Sequence, residues 1–154
     1  MRCACRLLTR PPLDLASAAA LTLPAAPSFR RSWAVLLHKI QRPDAYLPAT
    51  DVVARPEADG STYREMTVAG ARIIEHIFAA PHEVRFVVVN DHNEHVNLIS
   101  TDAGGVRRLE FFKRDRNTGE RVPWPAPAAI ALGGIHAVLR AAAASAPAAD
   151  GAAQ

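Results

Sequence analysis

The sequence predicts an α+β fold in which a curved antiparallel sheet wraps around a long C-terminal helix and leaves a hydrophobic cavity between them. Two observations predict it: six strand-like segments follow one another with only short turns between them, and a long alanine-rich helical segment comes after them. Short turns join successive strands into an antiparallel meander. The apolar face of such a sheet must be covered, and one helix laid across it leaves space beneath.

Before the strands lies a first helical segment, predicted from its capping residue Ser32 to about Gln41. Its apolar side chains share one helical face: Trp33, Leu36, Leu37 and Ile40. The segment ends before Pro43, because the residue preceding a proline disfavours helix. The six strands are predicted at about 51–55, 61–68, 71–79, 84–90, 96–101 and 106–113, and the final helix at 126–144.

The segment 62–78 carries the most information about a site. Two alternating runs flank Ala69-Gly70, which has the composition of a two-residue hairpin turn. That register places Arg64 opposite Glu75 on an otherwise apolar sheet face. The opposite face carries side chains suited to solvent: Tyr63, Glu65, Thr67, Arg72 and His76. An apolar face holding one ion pair is typical of a cavity wall, although such a pair can also be structural and fix the strand register.

The composition argues against several classes of protein. A chain of 154 residues, 49% hydrophobic and 21% charged, fits one globular domain. No apolar run approaches the ~20 residues of a membrane span, so we predict no integral membrane segment. Residues 43–154 hold 11 basic and 14 acidic residues, which argues against a nucleic-acid partner. Cys3 and Cys5 form no disulfide framework, so we predict a cytoplasmic protein.

Residues 1–31 are rich in arginine, alanine, serine and proline and hold one acidic residue, Asp14. We predict a disordered leader there, with targeting to an organelle as the alternative. A weak first strand could lie at 15–23. The folded domain is then 32–144, and 145–154 is predicted to be a disordered tail.

Several short segments, taken in order, resemble one known family. They are 33–43, which contains Trp33-Ala-Val-Leu-Leu, then 46–48, 63–67, 75–77, 84–88 and 97–100. They are similar to the Trp-x-x-Leu-Leu, Asn-Pro-x-x-Phe-x-Pro, Arg-Glu-Val and Glu-x-Val patterns of the AtaL-like subgroup of the SRPBCC superfamily, whose START-like members have the helix-grip fold. The resemblance covers about 32–144. The family opens with a strand before its first helix, and only 15–23 could supply that strand here.

The resemblance implies a seven-stranded sheet that grips the C-terminal helix around a hydrophobic pocket. Members of the superfamily bind lipids, sterols and polyketides, and some catalyse cyclisation or dehydration. The AtaL-like subgroup occurs near genes of secondary metabolism. The ligand-binding side chains that we predict are Arg64, Met66, Ile73, Glu75, Ile77, Phe86, Val88, Asn97, Ile99, Ile130, Gly134 and Val138.

Three hypotheses about function stay open. The first is a protein that binds a hydrophobic small molecule, oriented by Arg64, Glu75 and Asn97. The second is a cyclase- or dehydratase-type enzyme, in which Glu75 is the general acid or base and Arg64 stabilises an enolate. The third is a protein-interaction module, like co-chaperone members of the superfamily, that uses the outer surface of the sheet.

We predict no cofactor and no metal. The run 91–95 clusters carboxylates with His92 and His95, but it falls where a hairpin turn is needed, and Asp and Asn are turn residues. His136 lies beside the apolar stripe of the last helix and could reach the mouth of the pocket.

Overall fold

The computed structural model describes residues 19–22, 28–123 and 128–145, with the side chains of 28–123 and 133–145. Cys3, Cys5, Trp124, most of the predicted leader and nearly all of the predicted tail lie outside these residues. In chain order the elements are β1 (Ala19–Thr22), α1 (Phe29–Gln41), a 3₁₀ turn (Pro43–Ala45), β2 (Ala49–Pro56), β3 (Thr62–Val68), β4 (Ala71–Ala80), β5 (Glu83–Val88), β6 (Asn93–Thr101), β7 (Arg107–Asp115), β8 (Arg121–Val122) and α2 (Ala128–Ala144).

The strands in the described part of the chain belong to one antiparallel sheet of eight strands. β2 to β7 form the predicted meander, in which each strand pairs with the next. β1 returns beside β7, so the order across the sheet is β1-β7-β6-β5-β4-β3-β2, and the short β8 also pairs with β7. β1 falls within 15–23, the segment named above as a possible first strand. β8 was not predicted, because two residues are too few to show an alternating pattern.

The β3–β4 hairpin has the predicted register, with Arg64 directly opposite Glu75. Ala69 and Gly70 form the turn with φ angles of 52° and 79°. A two-residue type I′ turn requires positive φ at both positions, which glycine adopts freely and alanine only at some cost. This turn therefore fixes which face of the sheet carries the Arg64–Glu75 pair.

Helix α1 begins at Phe29, four residues before the predicted start, because Ser28 and not Ser32 is its N-cap. The backbone N–H of Arg31 donates to the Ser28 hydroxyl. The earlier start does not change the periodicity, but the buried face differs from the prediction and consists of Ser32, Val35, Leu36, Lys39 and Ile40. The prediction for Leu37 was wrong: it is 40% exposed, because it lies well off the centre of this face.

Helices α1 and α2 cover the inner face of the sheet and pack against each other. Together they enclose the core, which includes Leu36, Ile77, Val84, Phe86, Leu109, Phe111, Ile135, Val138 and Ala142.

Gly134 brings α2 close to β7, since a Cβ atom there would lie 3.4 Å from Cε2 of Phe111. Its neighbour Gly133 is exposed, and a Cβ atom there would meet nothing within 4 Å. Neither helix is long and apolar enough to cross a membrane.

Strand β2 forms one outer edge of the sheet. Its pairing with β3 shifts register between Thr50 and Val53, where β2 has one residue more than its partner. Asp51 lies inside this interruption with φ of 54°, in the left-handed region that aspartate tolerates better than most residues. The edge strand therefore carries a β-bulge.

Candidate functional site

A cavity of about 180 Å³ lies between the inner face of the sheet and the two helices. Strands β3 to β7 form its walls, α1 contributes one side chain and α2 approaches it at a glycine. The residues that line it are Lys39, Leu47, Arg64, Met66, Ile73, Glu75, Phe86, Val88, His95, Asn97, Phe111 and Gly134. Mostly apolar walls with a few convergent polar groups are characteristic of small-molecule sites.

The structure places most of the predicted ligand-binding residues around this cavity: Arg64, Met66, Ile73, Glu75, Phe86, Val88, Asn97 and Gly134. Ile77, Ile99 and Val138 do not line it. They are buried in the hydrophobic core. Ile130 belongs to α2, and its side chain lies outside the described residues. Four further residues line the cavity that sequence reasoning did not name: Lys39, Leu47, His95 and Phe111.

Arg64 and Glu75 form a buried ion pair, with 2% and 3% of their surfaces exposed. Nε of Arg64 donates to Oε1 of Glu75 at 2.7 Å, and Nη2 donates to the same oxygen. Both bonds therefore end on one carboxylate oxygen. The pair lies across the β3–β4 ladder, so the hairpin turn described above sets its geometry.

Arg64 also fixes the end of helix α1. Its Nη1 donates to the backbone carbonyls of Lys39 at 2.9 Å and Ile40 at 3.0 Å. These carbonyls lie in the last turn of α1, where helical carbonyls lack partners and a cation is favoured. Arg64 thus joins the helix to the sheet as well as neutralising Glu75, which gives the ion pair a structural role whatever else it does.

Lys39 is the least expected member of the site. It is 6% exposed, although it is a lysine on the first helix. Its Nζ donates to Oδ1 of Asn97 at 2.9 Å and lies 4.4 Å from the ring centroid of Phe111 and 5.3 Å from that of Phe86. The amine is therefore held at the cavity wall by one amide oxygen and two aromatic rings.

Burial lowers the pKa of Lys39 from 10.5 to about 7. The largest cause is the loss of hydration of the ammonium form, and the positive charge of Arg64 lowers the pKa further. The negative charge of Glu75 acts in the opposite direction but is the smaller influence. At neutral pH the amine consequently exists in both its protonated and its neutral forms.

Lys39 and His95 were missed for different reasons. Lys39 follows Ser32, Val35 and Leu36 at helical spacing, which places it on the same buried face. Because lysines are rarely buried, this spacing alone does not predict a site residue. His95 was taken for part of a turn, whereas β6 begins at Asn93. Once it lies on the strand, His95 has the same parity as Asn97 and faces the cavity.

The pKa of His95 is lowered, first by desolvation and next by the positive charge of Lys113, its cross-strand partner.

The run 91–95 does not form a metal site in the structure. Within the described residues no three His, Cys, Asp or Glu side chains cluster in a way that could hold a metal ion. Asp91 instead accepts from the backbone N–H of Asn93 at 2.9 Å, as a turn residue does. His136 is exposed and does not line the cavity.

No family model and no curated protein matches this chain. Among solved structures, the di-domain ARO/CYC StfQ from the steffimycin biosynthetic pathway is similar with a TM-score of 0.58 at 9% sequence identity, over 84% of this chain and 51% of that one. This chain therefore spans about half the length of StfQ. TTHA0849 from Thermus thermophilus is similar with a TM-score of 0.47 at 10% identity, over 82% of this chain and 92% of that one.

The fold and the cavity define an α+β protein of the helix-grip type, as the sequence predicted. The likeness to StfQ concerns the fold, because so low an identity carries no information about individual site residues. The helix-grip fold that the resemblance implied is thereby confirmed as an architecture. The finer AtaL-like resemblance still rests on the sequence segments described above.

Proposed function

We propose that this protein binds an apolar small molecule in the cavity and orients it through the buried polar groups. The observation that carries the proposal is the arrangement of Lys39 and Asn97: Nζ of Lys39 lies 2.9 Å from Oδ1 of Asn97, and both residues line a cavity whose walls are mostly apolar. Burying a lysine without a carboxylate partner is costly. A polar group of a ligand would reduce that cost, which favours a site over a purely structural role.

The donors of Arg64 are largely occupied, since three of its nitrogens already bond to Glu75 and to helix α1. The polar end of the ligand is therefore assigned to Lys39 and Asn97, and its apolar body to the walls that include Met66 and Phe86. A lipid, aromatic or polyketide-like molecule that carries one oxygen acceptor at one end would meet both the polar and the apolar part of the cavity. An AtaL-like role in secondary metabolism and a cytoplasmic location are part of the same proposal.

The test uses the full chain and two matched variants. Val88→Phe adds a ring to the cavity wall, whereas Val89→Phe adds the same ring at the next residue, which is 43% exposed and does not line the cavity. We expect the fluorescent probe 2-methylnaphthalene to bind the wild type and Val89→Phe, and to bind Val88→Phe at least about tenfold more weakly. Equal binding by the two variants, with far-ultraviolet circular dichroism unchanged, contradicts the proposal.

Native mass spectrometry of the purified chain adds a second readout. A small mass that is present under native conditions and lost on denaturation supports an occupied cavity and gives the class of the ligand. The same mass should be reduced in Val88→Phe and retained in Val89→Phe.

A second candidate is an enzyme with the same cavity, and the specific observation that favours it is the buried carboxylate of Glu75 at the wall. Glu75 would act as general acid or base of a cyclase- or dehydratase-type reaction. Glu75→Gln preserves the shape of the side chain but removes the charge that holds Arg64, so it is compared with the wild type at a temperature where circular dichroism shows both chains folded. Loss of turnover of the ligand that native mass spectrometry identifies, with binding of 2-methylnaphthalene retained, supports the enzyme, and absence of turnover in the wild type contradicts it.

A further inference from the structure

The chain contains two lysines, Lys39 and Lys113. They differ sharply in environment. Lys113 forms an ion pair with Asp91 at 2.9 Å. Lys39 forms no ion pair with any residue that the structure describes; the acceptor of its Nζ is the neutral amide of Asn97. One amine is thus tied to a carboxylate, and the other faces a cavity.

We propose that Lys39 is a nucleophilic amine that condenses with an aldehyde or ketone group of the ligand to form an imine in the cavity. This inference rests on the proposed function, because it requires an apolar molecule to enter the cavity. It narrows the ligand to one that carries a carbonyl group, and it assigns covalent capture to Lys39.

The environment of Lys39 meets both conditions that activate a lysine: desolvation in an apolar pocket and a neighbouring cation, here Arg64. With its pKa lowered to about 7, about half of the amine is neutral at neutral pH. An ordinary lysine is neutral in roughly one molecule in a few thousand at that pH. Only the neutral amine has the lone pair that attacks a carbonyl carbon.

The contacts of Lys39 also leave that lone pair available. In the neutral amine one N–H donates to Oδ1 of Asn97, which holds Nζ against the cavity wall. The lone pair attacks the carbonyl carbon and forms the C–N bond. The two amine hydrogens leave with the carbonyl oxygen as water, and the product is a C=N bond to Nζ. The step balances without an oxidant or a reductant.

Arg64 and Glu75 act here as positioning residues. The guanidinium binds the carbonyl oxygens of Lys39 and Ile40, so the backbone that carries the amine is fixed to the sheet. Glu75 holds the guanidinium through its Oε1, and the Lys39 amine is left without a carboxylate bonded to it. The contacts that anchor the helix therefore also leave the protonated Lys39 amine without a bonded carboxylate, which favours its neutral form.

The experiment is reductive trapping on the full chain at pH 7 with 2-naphthaldehyde and sodium cyanoborohydride, followed by peptide mass spectrometry. Of the two lysines, we expect Lys39 to carry the adduct at more than about tenfold the level on Lys113, and the peptide map separates both from the α-amino group, which is itself partly neutral at pH 7. Raising the pH from 6 to 8 should increase the labelling of Lys39 with a midpoint near 7. Lys113→Arg should keep the adduct, and Lys39→Arg should lose it.

Comparable labelling of the two lysines, or labelling confined to Lys113 or the N-terminus, overturns the inference. Binding of the hydrocarbon 2-methylnaphthalene, which has no carbonyl group, shows whether the imine proposal alone has failed or the binding function as well. If it binds the wild-type cavity and 2-naphthaldehyde nevertheless leaves Lys39 unmodified, the binding function stands and the imine is excluded. If the hydrocarbon does not bind and Lys39 is unmodified, both proposals fail.

Discussion

Lys39 donates from Nζ to Oδ1 of Asn97 although 58 residues separate them in the sequence. The bond joins the end of α1 to the middle of β6. Arg64 joins the same turn of α1 to β3 and β4. The last turn of the helix is consequently bonded to β6 through Asn97 and to β3 through Arg64. These bonds involve the same polar side chains that line the cavity.

The first prediction concerns the pH dependence of stability. The pKa of Lys39 is about 7 in the folded chain and near its ordinary value of 10.5 in the unfolded chain. Between these values the unfolded chain binds more protons, so the free energy of unfolding rises with pH, by up to ~1.4 kcal/mol per pH unit from this group. Below about pH 7 both states are protonated and the full cost of burying the charge remains.

Urea unfolding at several pH values between 6 and 10 measures this slope. Lys39→Met should flatten it, whereas Lys113→Met should leave the contribution of Lys39 in place. The slope is the useful quantity, because Lys39→Met also removes the donor to Asn97 and changes stability at every pH. An unchanged slope in Lys39→Met would show that the amine is hydrated in the folded chain.

A second prediction compares two ion pairs on opposite faces of one hairpin. Arg64→Met or Glu75→Gln leaves a buried group without its partner and should lower the free energy of unfolding by about 3–5 kcal/mol. Arg72 and Glu65 form a pair on the outer face, with the Arg72 side chain 66% exposed. Arg72→Met should cost less than about 1 kcal/mol.

Chemical denaturation of these variants gives the comparison directly. The double variant Arg64→Met with Glu75→Leu should recover part of the loss, since it leaves neither charge unpaired. If the inner and outer pairs cost the same, the inner pair is hydrated and does not form part of a closed cavity wall.

A third prediction concerns the two adjacent glycines of α2. Gly133→Ala should stabilise the protein by about 1 kcal/mol, because alanine favours helix and the new methyl group meets nothing. Gly134→Ala should stabilise less or not at all, because its methyl group would press on Phe111 at 3.4 Å. Thermal unfolding of the two variants measures the difference, and an equal gain in both would mean that α2 is not closely packed on β7.

The last prediction concerns the extent of the folded domain. We propose that β1 belongs to it, because Ala19–Thr22 pairs with Arg108–Phe111 of β7. Removing residues 1–27 should lower the free energy of unfolding by about 2–4 kcal/mol through the loss of these backbone hydrogen bonds. Removing 146–154 should have no measurable effect. Calorimetry of both truncated chains tests this, and equal stability of the two would place β1 outside the domain.

The sequence predicts the sheet better than it predicts the site. Alternation and turn chemistry were enough to predict the meander and the pairing of Arg64 with Glu75, because both are set by local geometry. The burial of Lys39 was not predictable in the same way. Its spacing from Val35 and Leu36 places it on the buried face of α1, but the acceptor that its amine finds there, Oδ1 of Asn97, lies 58 positions away in the sequence and is visible only in three dimensions.

The bulge in β2 has a consequence for self-association. A regular edge strand offers a row of free N–H and C=O groups on which the strand of another molecule can dock. Here the row is broken between Thr50 and Val53, where Asp51 takes a left-handed backbone conformation and places a carboxylate near the start of the edge strand. A docking strand would lose its register at that point, which disfavours the addition of a further strand at the β2 edge.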